Sequence, residues 1–420
     1  MAAVEKLSFA GDVQIRDITI ITTSGFAVTI TPQVATIEIY EDLFSPFVTG
    51  KMVIRDSQEL TNLLPLVGEE IVRIDIGTPT ISAKDSYRSE FYIYKMDDRI
   101  KLAERELAYV LHFTSKECII DVNKKLSKAY SGKISDIVTK ILTDDLETKK
   151  PLNIEETKNV TKYISNFWSI TRNLQYLCDN ALNINDSPTY VFFENKYGLN
   201  FVSLDTLYSS DNPVFQKFIW DNYTAEMKGT TRDLDKDYQR ILEIRTPEVF
   251  NYLERLKSGM YGSEMIAFDL LTKQYMHVRY QPNFSETKHL NEHPLWSSNA
   301  INRPRATLIQ DHRYYNNFDG FDDVTNSKSL QKRTSLMTQA EAFRLEIVVF
   351  GRTDYSVGQK VYVELPKNTQ IKKEDLNWQD KVHSGNYLIA AICHRITRTR
   401  HECVMELIKD SYGVNLDAPK

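Results

Sequence analysis

Pairs of adjacent carboxylates are the side chains whose chemistry would matter most, because two acids can hydrolyse a glycosidic bond. Examples are Asp144-Asp145, Glu155-Glu156 and Asp322-Asp323. Hydrolysis needs two carboxylates that face each other across a cleft at ~5–10 Å, and neighbours in sequence do not provide that arrangement. Solvated loops and helix ends explain such runs more simply. Since the G-x-S-x-G, H-E-x-x-H and P-loop patterns are also absent from the sequence, it predicts no catalytic residues.

Histidines that lie close together in the sequence are candidates for binding a metal ion. His289 and His293 are four residues apart, and His312 follows them. Three imidazoles are enough to ligate zinc or iron. However, Pro294 and the loop-like composition around it disfavour a preformed helical pair, and surface histidines are common. The sequence therefore predicts no metal at these residues.

The last predicted hairpin carries two further histidines and two of the four cysteines. His394 and His401 are interpreted as simple cross-strand neighbours. Cys393 and Cys403 flank the turn and could face each other, but buried free thiols are favoured over a disulfide in a cytoplasmic product. No C-x-x-C pair supports a zinc knuckle or a redox motif. The sequence thus predicts neither a cofactor nor a metal ion.

Charge and composition narrow the function further. The formal net charge of -5 argues against a protein built mainly to grip nucleic acid. The basic cluster Arg395, Arg398 and Arg400 could contact phosphate or an acidic partner, although a charged hairpin tip is the simpler interpretation. The N-terminus shows no signal peptide, and no apolar run approaches the ~18 residues that span a bilayer. The chain is therefore expected to fold in the cytoplasm without a membrane anchor.

Alternating apolar and polar residues predict strands over almost all of residues 12 to 115. Val13 and Ile15 alternate with polar neighbours, and the phase then shifts to Ile18 and Ile20. Similar alternation continues to about residue 113, and a short helix is predicted at 57–63. This pattern indicates an antiparallel barrel or sandwich.

The rest of the chain mixes helices with a second set of strands. Apolar residues at helical spacing predict helices at 134–142 and 167–181. Thr246-Pro247-Glu248 reads as a helix start, with a cap and a proline in the first turn. A hairpin is predicted at 262–269 and 274–280, and irregular chain at 282–326. Strong alternation returns at 343–349, 361–365, 387–394 and 402–408, which predicts a second antiparallel barrel.

These patterns predict an α+β fold that is mainly β, with two antiparallel β-barrel domains and two interspersed α+β domains. The predicted division is a first barrel at 1–115, a mixed α+β domain at 116–215, a second barrel at 216–255 plus 340–412, an inserted α+β and loop-rich domain at 256–339, and a C-terminal tail at 413–420.

Three segments resemble the baseplate hub proteins of contractile-tailed bacteriophages. The segment IEIYEDLFSPFVTGKMVIRDSQELTNLLPLVGEE (37–70) looks like the opening of that family, and ERLKSGMYGSEMIAFDLLTK (254–273) is similar to its middle motif. The segment AFRLEIVVFGRTDYSVGQKVYVELP (342–366) resembles its second barrel. These matches are spread over nearly the full length of the chain.

The resemblance implies a homotrimeric ring in which each copy supplies two barrels related to the tail-tube fold. Such a pseudo-sixfold ring adapts the hexameric tail tube to the trimeric central spike, alongside other baseplate (wedge) proteins, in the tail of the virion. The genome would pass through the lumen without specific binding, and acidic side chains such as Glu38 or Asp75 are hypothesised to line that lumen and repel the genome. Since no spike repeat follows Lys420, a separate spike protein is expected.

Several residues of the resembling segments are candidates for contacts or motifs. The stretch from Phe44 to Gly50 is either a contact loop between subunits or a strand connection with a glycine bulge. The segments around Gly68 and Gly358 occupy similar places in the two halves and read as turns in which glycine accepts a positive φ. The candidate residues are Phe44, Pro46, Phe47, Gly50, Pro65, Gly68, Gly259, Tyr261, Gly351 and Gly358.

Two other functions remain open at this point. The chain could be a tail-associated cell-wall hydrolase or protease, although no catalytic signature supports it. It could also be the hub of a type VI secretion system or another contractile injection system, since related hubs occur there. The hub of a contractile phage tail is the function that the sequence favours.

Overall fold

Strands predominate over helices in the computed structural model, which confirms the predicted fold class. The structure describes residues 9–58, 60, 66–79, 81, 86–104, 106–220, 234–269, 273, 275–297, 305–311, 324–367 and 378–417. The predicted helix at 57–63 lies largely outside these ranges. So do Pro65, His312 and the pair Asp322-Asp323.

The described strands are β1 (Gln14–Ile21), β2 (Ala27–Thr29), β3 (Val34–Asp42), β4 (Thr49–Asp56), β5 (Ile71–Gly77), β6 (Tyr87–Ala103), β7 (Glu106–Thr114), β8 (Lys125–Leu126), β9 (Ala129–Lys133), β10 (Leu152–Ile154), β11 (Val160–Ile164), β12 (Trp168–Ser169), β13 (Tyr190–Asn195), β14 (Gly198–Ser203), β15 (Val214–Ile219), β16 (Ile241–Glu248), β17 (Ser263–Asp269), β18 (Tyr275–Tyr280), β19 (His293–Pro294), β20 (Arg305–Asp311), β21 (Phe343–Phe350), β22 (Lys360–Glu364), β23 (Gly385–Thr397), β24 (His401–Lys409) and β25 (Ser411–Tyr412).

The described helices are α1 (Lys116–Asn123), α2 (Ile134–Lys140), α3 (Ile170–Asn180), α4 (Leu204–Tyr208), α5 (Leu234–Gln239), α6 (Tyr252–Ser258) and α7 (Val324–Ala340). A π-turn at Ile141–Asp145 extends α2, and a 3-10 turn spans Phe284–Glu286.

One long sheet contains 13 of the described strands. Its order is β16-β21-β24-β23-β3-β4-β7-β6-β5-β1-β2, and β22 and β15 branch from β23. The pairs within it are antiparallel, except for the parallel pair of β15 and β22. Smaller sheets involve the other strands, such as the parallel and antiparallel partners of β17 in the inserted region. The long sheet therefore joins strands from the start and the end of the chain.

The first core lies on the inner face of β1 to β7. Ile37 and Ile39 are fully buried, whereas Glu38 and Tyr40, which alternate with them, face outward and are half-buried. The predicted shift of phase in β1 is a bulge between Ile15 and Asp17. Because strands from both ends of this path share one cluster of buried side chains, this part of the sheet curves around its core.

The second core is built mainly from β21 to β24. The inward residues of β21 (Phe343, Leu345, Ile347 and Val349) are at most 1% exposed, as the alternating sequence predicted. Residues of β13, β14 and α4 also contribute to this core, which includes Val191. A third cluster packs α2 and α3 against other side chains of β13 and β14.

The predicted helix start at Thr246-Pro247-Glu248 is wrong. Strand β16 continues to Glu248, and α6 begins at Tyr252 behind Asn251, whose side chain accepts a hydrogen bond from the backbone N of Glu254 at 3.2 Å. The pairing of β16 with β21 is irregular between Arg245 and Glu248. Because β16 is the last strand of the sheet path, a proline that lacks an N–H is tolerated there.

Candidate functional site: the strand junction between the two large cores

Strands β3 and β23 form a junction that connects the β1 to β7 part of the long sheet to the part that contains β21 to β24. Seven residue pairs join them, from Thr36 opposite Thr397 to Asp42 opposite Ala391. The backbone N of Leu43 extends the junction by donating to the carbonyl of Ala390 at 2.7 Å. Main-chain pairing of this length fixes the register of one core relative to the other.

In each core, one buried side chain comes from the opposite half of the chain. Leu43, directly after β3, belongs to the second core and is fully buried. Ile396, near the end of β23, belongs to the first core and is 1% exposed. The junction is therefore stabilised by apolar packing on both sides as well as by backbone hydrogen bonds.

Glu41 is the buried carboxylate of the junction. It points inward from β3 and is 1% exposed. It accepts hydrogen bonds from the hydroxyl of Ser356 at 2.7 Å, the backbone N of Val357 at 3.2 Å and the backbone N of Lys196 at 3.0 Å. Burial raises the pKa of Glu41, although these three donors and the charge of Lys196 oppose the shift. One side chain thus ties β3 to two turns that are distant in sequence, at residue 196 and at residues 356–357.

The sequence contains a signal for the role of Glu41 that lies outside any catalytic or binding motif. Ile37, Ile39 and Glu41 share one phase of β3, so an acid occupies an apolar face. A carboxylate in that position needs hydrogen-bond donors from another part of the fold. The sequence alone could not show that the donors come from residues 196 and 356–357.

Charged side chains on the outward face of the junction are paired with one another. Glu38 lies 3.1 Å from Lys51 on β4 and 3.6 Å from Arg395 on β23. Burial opposes ionisation of Glu38, but hydrogen bonds from Tyr40 and Lys51 and the charge of Arg395 outweigh it and lower its pKa. Nearby, Arg400 pairs with Glu402 at 2.7 Å. On the outward face of the junction, acidic and basic side chains from the two halves of the chain therefore lie next to one another.

The other basic and acidic residues singled out from the sequence also have partners within the chain. Arg398 donates to the carbonyls of Val34, at 3.3 Å, and Pro32. Asp75 lies 3.4 Å from Arg16 and 2.8 Å from Arg88. Both Arg398 and Asp75 are therefore bound by partners within the chain.

The candidate stretch between β3 and β4 divides into exposed and buried residues. Phe44 is 42% exposed, Pro46 is half-buried and Phe47 is 6% exposed within the third cluster. Gly50 lies inside β4, in regular register with Phe113. A Cβ there would collide with the ring of Phe113 and a backbone oxygen, so close packing rather than a bulge explains this glycine.

Glycines of the other candidate positions have local roles in the backbone. Gly68 and Gly358 have φ angles of 96° and 84°, as the turn interpretation predicted. Gly259 ends α6 in the left-handed conformation, with φ of 83°. Gly351 follows β21 and packs against the imidazole of His401, where a Cβ would collide with the ring. Tyr261 is 4% exposed within a fourth cluster.

The acid pairs do not come together across a cleft in the described residues. Asp145 is 2% exposed, in contrast to the predicted solvated position, because Lys128 and Tyr130 bind it. Glu155 accepts from the backbone N of Ser203 at 2.6 Å, and Glu156 pairs with Lys133. These carboxylates hold neighbouring segments together.

His289 likewise has partners at both ring nitrogens. Its Nδ1 lies 2.6 Å from a carboxylate oxygen of Asp410, and its Nε2 lies 2.9 Å from the carbonyl of Phe284. The ring stacks on Phe284 at 3.8 Å between centroids. His293 pairs with Tyr412 as part of β19. In this arrangement the two histidines do not form a shared metal site.

Comparison with solved structures places the fold among tail proteins. A tail protein from Neisseria meningitidis MC58 is 11% identical, covers 94% of this chain and 96% of its own, and has a TM-score of 0.55. The 43 kDa tail protein of prophage MuSo2 from Shewanella oneidensis is 10% identical over 94% and 98% of the two chains, with a TM-score of 0.58. The predicted resemblance to phage tail proteins is therefore confirmed at the level of the fold.

A chain of the lidless PdpA-VgrG complex is also similar, with a TM-score of 0.50 and 10% identity. The match covers 97% of this chain and 66% of that one. No protein-family model and no curated protein matches the sequence. Among the described residues, no helix has the length and apolar character needed to cross a bilayer.

Proposed function

We propose that this chain is a non-enzymatic structural subunit of a phage tail baseplate hub. The strand junction carries the proposal, because it combines two curved parts of a sheet, each with its own core, in one rigid unit. Fold similarity to tail proteins over 94% of the chain supports the same role. In this role the chain acts through its shape and its contacts with other proteins, and it catalyses no reaction.

The proposed assembly is a trimeric, pseudo-sixfold ring. Two barrel-like units per chain, repeated in three chains, provide six positions that match a hexameric tail tube on one side, while the threefold symmetry matches a trimeric central spike on the other. The domain boundaries at 115, 215, 255 and 339 remain part of this proposal. A head-to-tail contact between copies closes into a ring when its rotation is one third of a turn.

The contact between copies is proposed to lie beside the edge strand β16. In the described part of the long sheet, β16 pairs on one side only, with β21. Large apolar side chains follow it at the surface: Phe250 is 71% exposed and Leu253 is 69% exposed. Open strand edges and adjacent exposed apolar residues favour association with another chain. The exposed Phe44 is a second candidate contact.

The outward face of the junction is proposed to face the channel. Its acids and bases are paired, as Glu38 is with Lys51 and Arg395. Balanced charge at short range gives DNA neither a strong attraction nor a strong barrier. The genome would pass such a wall without specific binding. Tail tube, spike and wedge proteins are the proposed partners, in a virion tail assembled in the host cytoplasm.

Mass measurement by light scattering tests the ring. The 48.7 kDa chain is expected to form a species of about three times that mass, alone or with its spike protein. Phe250→Asp should reduce the trimer to monomer, whereas Ile164→Asp, at a site that is also 71% exposed, should leave it intact. A wild-type monomer in the presence of both tube and spike proteins would contradict the proposal. Hydrolysis of purified cell wall would contradict the non-enzymatic role.

A hub of a contractile injection or secretion system is the second candidate. The similarity to a chain of the PdpA-VgrG complex favours it. The two candidates share the ring and differ in the particle that contains it. Mass spectrometry of particles purified with the tagged chain would separate them, because a phage hub should co-purify with capsid proteins and an injection-system hub should not.

A further inference from the structure

Three buried side chains of the last hairpin bring their ligating atoms together. His394 on β23 lies opposite Cys403 on β24, and His401 precedes Cys403 by two residues, so all three point to one face of the sheet. Each is at most 1% exposed. Nδ1 of His394 lies 3.1 Å from Nε2 of His401, and Sγ of Cys403 lies 3.3 Å from the former and 3.5 Å from the latter.

These spacings are close to those between the ligands of a tetrahedral zinc ion. Zinc binds imidazole nitrogen at ~2.0–2.1 Å and thiolate sulfur at ~2.3 Å. At tetrahedral angles, such bonds place two nitrogens roughly 3.3 Å apart and a nitrogen and a sulfur roughly 3.6 Å apart. The ligand triangle of His394, His401 and Cys403 would have to expand by only about 0.3 Å or less on each side to accept the ion.

Neighbouring residues hold the two imidazoles in place. The ring of His401 packs on Gly351, where a Cβ would collide with it, and the backbone of His401 is bonded to Gly11 and Gly351 at 2.8 Å each. The ring of His394 meets the edge of Tyr87 with centroids 5.7 Å apart. The ligand atoms are therefore positioned before any ion arrives, which favours binding.

The three proposed ligand atoms already contact one another without an ion. In the described residues the other nitrogen of each ring, Nε2 of His394 and Nδ1 of His401, is buried and has no hydrogen-bond partner. Each ring therefore directs one nitrogen into the cluster.

We propose that His394, His401 and Cys403 form a zinc site. Two imidazoles and one thiolate are a donor set that zinc accepts, and three protein ligands leave the fourth position for water or another small ligand. The ion would lie between the strand junction and the turn at Gly351, and it would fix the β23–β24 hairpin. The sequence predicts only cross-strand contact between these histidines, and a zinc site adds a role to that geometry. This inference does not depend on the proposed hub function.

Metal analysis of the full chain tests the site. Protein refolded with zinc and dialysed against metal-free buffer should retain about one zinc ion per chain. Cys403→Ser and His401→Gln should each lower the zinc content to about a tenth of that value or less, because each variant loses one of the three ligands. Cys393→Ser is the matched control, since Cys393 lies opposite Val404 on the other face of the same hairpin. It should retain the ion.

Cobalt substitution gives a readout that does not depend on the variants folding well. Wild-type protein refolded with Co²⁺ should show a near-ultraviolet thiolate-to-cobalt band and the intense visible absorption of tetrahedral cobalt. A folded wild-type chain without stoichiometric zinc and without the thiolate band would overturn the proposal. Equal zinc in the Cys403→Ser chain would also overturn it, and copper in place of zinc would overturn the choice of metal.

Discussion

The two large cores differ in the charged groups that they bury. In the described part of residues 9–115, the buried charged side chains are carboxylates: Glu41, Asp56 and Glu70. The second half adds buried basic groups, such as Lys360 and Lys409. The acids accept from backbone N–H groups, as Glu70 does from Val67 and Gly68 at 2.8 and 3.0 Å. The lysines donate to backbone carbonyls.

This difference has consequences for stability. A buried carboxylate that accepts hydrogen bonds from several N–H groups replaces the hydrogen bonds that water donates to it in the unfolded chain. The ammonium group of Lys409 has two carbonyl acceptors, Val382 at 2.8 Å and His383 at 3.2 Å, and lies between three aromatic rings. Burial outweighs these contacts and lowers the pKa of Lys409 to about 7. The second half should therefore gain stability through Lys409 as the pH rises above 7.

The largest expected effect is the loss of a purely apolar residue from the first core. Phe113 is fully buried, and Phe113→Ala should cost about 3–5 kcal/mol through lost burial and the cavity left behind. Because no ionisable group is removed, urea unfolding at pH 7 and at pH 8.5 should give the same loss. Tyr94→Ala, at a site that is 48% exposed, is the control and should change stability little. A strongly pH-dependent loss for Phe113→Ala would remove the contrast between the cores.

The next effect concerns the acid that ties the halves together. Glu41→Ala leaves the hydroxyl of Ser356 and two backbone N–H groups without their acceptor, which should cost roughly 3 kcal/mol. Glu38→Ala, on the outward phase of the same strand, should cost less than about 1 kcal/mol, since its ion pairs are partly exposed. Urea unfolding of both variants measures the difference. Equal losses would show that burial at the junction does not distinguish the two acids.

The elements of both cores follow from sequence periodicity. The shift of phase after Ile15 predicted the irregularity that the structure places between Ile15 and Asp17, and the alternation from Phe343 to Val349 predicted β21. These signals are local, since a strand with one buried face must alternate. The turn at Gly358 was also predictable, because a positive φ favours glycine.

The pairing that makes the site was not predictable in the same way. Residue 38 meets residue 395 across the junction, and no local pattern encodes which two edges will pair over such a separation. The segment Thr246-Pro247-Glu248 shows the opposite case. Its local sequence predicts a helix start, but pairing with β21 at the edge of the sheet makes it part of a strand. The clustering of His394, His401 and Cys403 required the hairpin register, although the i and i+2 spacing of the last two was a usable signal.

The pH dependence of Lys409 gives a third way to sharpen the comparison. Its folded pKa of about 7 lies below the ordinary value of 10.5, so between these pH values the unfolded chain binds more protons and stability rises with pH. Lys409→Met removes this contribution. The free energy of unfolding of the wild type relative to the variant should rise by about 1.5 kcal/mol from pH 7 to pH 8.5.

Lys51→Met is the control for that measurement. Lys51 is a strand lysine whose side chain is 39% exposed and pairs with Glu38. Its variant should keep a constant difference from the wild type over the same range, because this ammonium group is partly exposed rather than buried. The same pH-independent difference for Lys409→Met would show that Lys409 stays protonated in the fold, held by its carbonyls and rings. Asp380 and His383, which lie near Lys409, are retained in both variants.

The smallest expected effect compares equivalent turns of the two halves. Gly68→Ala and Gly358→Ala each place a Cβ on a residue with positive φ, which should cost about 1 kcal/mol or slightly more. Space around the two sites differs little: the new Cβ at 358 would meet Phe193 at 3.4 Å, and that at 68 would meet a backbone oxygen at 3.7 Å. Thermal unfolding should therefore show similar losses, slightly larger for Gly358→Ala. If either variant kept its stability but failed to form the proposed trimer, that turn would be a contact between subunits rather than a purely local feature of the backbone.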